Sequence, residues 1–90
     1  METRIYKVVA QGETFTVPSK KQEGGQLNKC MIRLKELNEY GDEFLVVMLG
    51  NLATCRFAPG TTVAANLRFS THETNGQWYQ DITANDIVEV

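Results

Sequence analysis

Gly60–Ala84, GTTVAANLRFSTHETNGQWYQDITA, decides how the rest of the chain is read. Asn75-Gly76 stands between two β-rich runs. A type I′ turn needs positive φ at both central residues, which Asn and Gly tolerate best. A two-residue turn there sets the register: Phe69 faces Ile82 and Leu67 faces Ala84 on one side. On the other side Arg68 faces Thr83, Ser70 faces Asp81 and His72 faces Tyr79. Apolar meets apolar and polar meets polar, the pattern of a hairpin half buried in a core. The only tryptophan, Trp78, lies two residues past the turn. It shares parity with Ile82 and Ala84, so it either caps the core or stands beyond it near the hairpin tip. Tyr79 has the opposite parity and is expected to be exposed beside His72.

Upstream, Leu27–Leu37 (LNKCMIRLKEL) contains strong helix formers that allow a short helix, but alternation is the better reading. Cys30, Ile32 and Leu34 fall on one face and Lys29, Met31, Arg33 and Lys35 on the other, a half-buried strand with a basic outer stripe. Asn38–Asp42 (NEYGD) is a turn by composition, with Tyr40 as a turn residue. Glu43–Leu49 (EFLVVML) is almost wholly apolar, so this strand should be covered on both faces or sit at an interface. Asn51 is placed to cap a helix of one or two turns through Phe57, stopped by Pro59-Gly60. Arg4–Gln11 (RIYKVVAQ) and Glu13–Val17 (ETFTV) read as one first strand bent near Gly12, with two short strands as the alternative. Ser19–Gln26 (SKKQEGGQ) is a polar loop, basic at its start.

The order is three strands, a short helix and two strands. That is an all-β, five-stranded OB-fold, a Greek-key barrel with a short helix between strands three and four, in one domain spanning residues 1–90. Ninety residues suffice for one core. The formal net charge is −2 and the pI about 5.3, which argues against a strong non-specific duplex binder. No apolar run approaches the ~20 residues of a membrane span, and no secretory pattern opens the chain. The expectation is a cytoplasmic protein without a membrane partner. Cys30 and Cys55 are expected to be buried free thiols. His72 is the only histidine. It has no evident acid–base partner, the cysteines are too few and too distant for a metal set, and Gly24-Gly25 lacks the rest of a phosphate loop. An enzyme or a bound cofactor is therefore not expected.

Leu45–Ala53 (LVVMLGNLA), followed by PGTTVAANLRFSTHETNGQWYQD, resembles the core of bacterial single-stranded DNA-binding proteins of the SSB type. There a strand ending in aromatic-glycine enters a short helix, and a glycine then opens a strand of the form G-x-x-V-x-V-x-G-x-L-R. The chain is more similar to small SSB-like OB-fold proteins ending in N-G-x-W-Y-x-D and carrying an S-K-x-G-G-like loop, comparable to Ser19–Gly25. The resemblance implies single-stranded DNA binding, with RNA left open, and assembly into a dimer or larger homo-oligomer. It also marks a departure. The outward positions of the third strand, where the resemblance implies an aromatic and an arginine, are Glu43, Leu45, Val47 and Leu49, and the acidic C-terminal tip is absent.

Single strands are bound by a cationic groove with rings on which bases stack. The candidates are Lys20 and Lys21 in the first loop, Lys29, Arg33 and Lys35 on the second strand, and Arg68, Trp78 and Tyr79 on the last hairpin. The alternative is an OB-fold protein–protein module that uses the apolar third strand. A small-ligand barrel ranks third, since five short strands enclose little space.

Overall fold

The computed structural model describes residues 3–19 and 25–90. Its strands are β1 (Thr3–Gln11), β2 (Phe15–Pro18), β3 (Gln26–Glu36), β4 (Glu43–Leu49), β5 (Thr62–Thr74) and β6 (Gln77–Glu89), with a 3-10 helix at Gly50–Thr54. β1, β3, β4, β6 and β5 close into a ring in that order. β1 pairs with both β3 and β5, and β4 meets β6 in parallel at Val47–Thr83. This is the expected five-stranded OB-fold barrel. β2 continues along β3 past the point where β1 leaves it.

The N-terminal stretch thus forms two strands rather than one bent strand. A register shift between Val8 and Ala10 turns β1 first, and residues 12–14 then leave the ladder, apart from the Gly12 N–H bond to the Met31 carbonyl at 2.9 Å. A second irregularity lies in the last strand. Asn66 faces Asp86 while Leu67 faces Ala84, which leaves Asn85 as an extra residue. This bulge lets Ala84 and Ile87, three apart, both point inward.

The core follows the alternation of the sequence. Cys30, Ile32 and Leu34 of β3 are fully buried, with Val46 and Met48 of β4, Tyr6 and Val8 of β1, Val63, Ala65 and Leu67 of β5, and Ala84 and Ile87 of β6. Each large aliphatic among them contributes ~1.5–3 kcal/mol on burial. The hairpin register is the expected one at every pair from Leu67–Ala84 to His72–Tyr79. Asn75 and Gly76 take φ of 52° and 78°, as a type I′ turn requires.

The barrel ends are finished differently. At one end the 3-10 helix inserts Ala53, with Leu52 and Phe57 packed beside it. It is shorter than the expected helix, and Asn51 does not cap it. Gly50, with φ of 67°, starts the turn directly after Leu49, and no side chain caps the end. The segment is tied down from β1 and its neighbours instead. Gln11 Nε2 donates to the Cys55 carbonyl at 2.7 Å, and its Oε1 accepts from the Phe57 N–H at 2.8 Å. Thr14 Oγ1 donates to the Ala53 carbonyl, and Arg56 Nη1 to the Gly12 carbonyl. The bond to Ala53 satisfies a carbonyl that so short a helix leaves unpaired, and the others fix the segment that follows it against β1 and residue 12. At the other end Tyr6, Phe44 and Phe69 stack edge to face at 6.3 and 6.1 Å. Phe69 keeps the inward parity but remains half exposed, because the barrel wall ends beside it. Both cysteines are free, and only Cys30 is buried; Cys55 is exposed, contrary to expectation.

Candidate nucleic-acid interface

Residues directly opposite on neighbouring strands share a face of the sheet. On the outside of the barrel this builds four rows: Phe15–Lys29–Leu49, Met31–Val47–Thr83–Arg68, Ala10–Arg33–Leu45 and Lys7–Lys35–Glu43. The expected basic stripe on β3 is therefore real, but it lies beside an apolar one. Leu45 is 57% exposed and Phe15 48%. The third strand is consequently not covered on both faces, since no other element of the described chain lies over its outer side.

Part of this face is a groove of about 650 Å³. Leu27, Val47 and Leu49 contribute its apolar floor, Val17 and Pro18 one margin, and Ser70, Asp81 and Thr83 of the β5–β6 hairpin the other. Among the described residues Lys29 is the cation in its lining. Arg33 lies outside it and pairs with Glu43 at 3.0 Å, while Lys35 lies between Lys7 and Glu43. The basic stripe is thus partly neutralised by the acid that opens β4.

Beyond the ring, β5 and β6 run on as a two-stranded arm whose residues 71–80 are all exposed. Trp78 does not cap the core. It faces Glu73 near the tip and is 78% exposed, because the arm has left the barrel by that point. Tyr79 is exposed as expected and lies against His72, with ring planes 18° from parallel. His72 Nδ1 donates to Asp81 Oδ2 at 2.9 Å, and the Tyr79 hydroxyl donates to Gln77 Oε1 at 2.7 Å. The arm therefore offers one loose ring and one braced ring on neighbouring positions.

Of the candidate residues, Lys29 lines the groove, Arg33 and Lys35 continue its strand, and Arg68 shares a row with Met31, Val47 and Thr83. Trp78 and Tyr79 stand on the arm. Lys20 and Lys21 lie outside the described residues. Sequence reasoning passed over Phe15 and Lys7. Phe15 shares parity with Val17, but only its pairing with Lys29 places it on the outer face. Lys7 alternates with buried Tyr6 and Val8, a signal that was available.

Among the described residues no group of three or more His, Cys, Asp or Glu side chains is placed to hold a metal ion, and no helix is long and apolar enough to cross a membrane.

No family model matches the chain, and no curated protein matches it in sequence. Among solved structures it is similar to the solution NMR structure of the second OB-fold domain of replication protein A from Methanococcus maripaludis. The TM-score is 0.70 at 15% identity, over 98% of this chain and 81% of that one. At that identity the likeness establishes the architecture: the chain is an OB-fold.

Proposed function

We propose that this protein binds single-stranded DNA, without catalysis and with broad sequence tolerance, in the groove across β3 and β4 and along the β5–β6 arm. The observation that carries the reading is the arm, which presents the Tyr79–His72 pair in the open on the face of Asp81, beside a groove containing Lys29, with Trp78 exposed on the other side of the same arm. OB-folds use this face and its flanking loops for oligonucleotides. Stacking supplies sequence-tolerant affinity, and the cations Lys29, Lys35 and Arg68 meet phosphate. The structurally similar domain is part of a replication protein A. That likeness and the resemblance to SSB-type sequences support the same reading. Fluorescence anisotropy with labelled oligo-dT tests it. The expected result is micromolar or tighter binding that weakens as salt rises and exceeds binding to duplex. No binding at low salt would overturn it.

The exposed apolar side of β4, with Leu45 and Leu49, favours a second role for the same face, association between copies of the chain. Sedimentation showing a monomer at high concentration would remove that reading.

A further inference from the structure

The groove is chemically lopsided. Lys29, on β3, has no carboxylate partner among the described residues. Asp81, on β6, is held on one oxygen by His72 Nδ1 at 2.9 Å. Both line the groove, and β4 runs between their strands with Val47 and Leu49 on the floor. Two strand spacings put at least about 10 Å between the two walls.

A carboxylate repels phosphate, so the backbone of a bound strand is drawn to the Lys29 side and a base lies toward Asp81. The aliphatic floor suits the flat face of that base. With Oδ2 engaged by His72, the remaining lone pairs of Asp81 accept hydrogen bonds only from donors. The bases differ sharply in what they offer. Guanine presents two adjacent donors, N1–H and the 2-amino group, matched to both carboxylate oxygens. Thymine presents one N–H between two carbonyl oxygens that a carboxylate repels.

We infer that the groove contains a base-reading position, in which Asp81 accepts hydrogen bonds from the donor edge of guanine while Lys29 holds the neighbouring phosphate. This rests on the single-strand reading above and adds a preference to it. His72 is a positioning residue here: its bond to Oδ2 and its stacking on Tyr79 hold the carboxylate toward the groove.

The test compares labelled oligo-dT with the same strand carrying one central guanine, by anisotropy at fixed salt. The guanine strand should bind about five- to tenfold tighter, the low end for a bidentate contact at a partly exposed site. Inosine, which keeps N1–H but lacks the 2-amino group, should fall between the two. Asp81→Asn should bring the guanine-to-thymine ratio to about one, and by removing a charge that repels phosphate it should tighten oligo-dT binding. Equal affinity of the unaltered protein for both strands would overturn the inference and leave single-strand binding standing, and that comparison needs no variant. Binding to neither strand would overturn the proposed function itself.

Discussion

Tyr79 and His72 face each other across the β5–β6 arm with ring centroids 5.2 Å apart and planes 18° from parallel. One face of the Tyr79 ring is therefore already covered, and the ring is braced for a base on the other. Base–aromatic stacking is worth ~1–3 kcal/mol, so Tyr79→Ala should weaken oligo-dT binding about fivefold or more. Tyr40→Ala, in the β3–β4 turn, should change it less than about twofold, because that ring lies off the face. Titrations of the two variants under one salt condition check this, and equal losses would remove the arm from the interface.

Trp78 is the only tryptophan, and it is the most exposed ring on the arm. Its emission should be that of a solvated indole and should be quenched as oligo-dT is added. A spectrum unmoved at saturation would keep the bound strand off the Trp78 side of the arm.

Glu43 holds Arg33 at 3.0 Å, both side chains being about half exposed. An exposed pair of this kind contributes ~0.2–1 kcal/mol or less to stability. Glu43→Gln should leave the melting temperature nearly unchanged, yet tighten oligo-dT binding and steepen its salt dependence by freeing one cation. Parallel calorimetry and salt titration separate the two effects.

Gly41 lies against the backbone where β3 turns into β4. A β-carbon there would sit 2.6 Å from the Glu36 carbonyl oxygen and 3.0 Å from its carbon, atoms that cannot rotate away. Gly41→Ala should cost ~1–3 kcal/mol, as overpacking does. Urea unfolding measures it, and an unchanged midpoint would mean that the turn rearranges freely.

Burial pushes the Tyr6 phenol above its ordinary pKa of 10.0, a shift that Arg4 opposes and Glu36 reinforces. The folded state thus favours the neutral phenol more than the unfolded chain does. The resulting stability is complete below pH 10 and is lost as pH rises beyond it, when the unfolded chain ionises first. Tyr6→Phe should flatten the decline of stability in alkali, because it removes the group that ionises more readily in the unfolded chain. Urea midpoints at about pH 8 and about pH 11 check the sign.

Much of the barrel was legible because burial imposes alternation. Cys30, Ile32 and Leu34 announced β3, and the Asn75-Gly76 turn gave the hairpin register. What stayed hidden depended on contacts between distant segments. The bulge at Asn85 leaves only an odd spacing from Ala84 to Ile87, and Phe15 becomes a surface residue only through Lys29. The exposure of Trp78 and Phe69 was illegible for another reason: parity tells which way a side chain points, but not where the barrel wall stops. The candidate interface had a readable cationic half. Its carboxylate, Asp81, read only as the partner of Ser70.

Ring closure also orders the assembly of this surface. The β3–β4 and β5–β6 pairings join neighbours in the chain, whereas Arg4 must reach Ala65 and Val47 must reach Thr83. Such non-local pairings bear the loop-closure entropy and set the rate, which places the barrel among domains that fold in milliseconds to seconds. The groove has β4 for its floor and β6 for a wall, so no single hairpin contains it. It requires the non-local pairing of Val47 with Thr83, so a chain that has not closed the ring lacks the groove in which the proposed binding takes place.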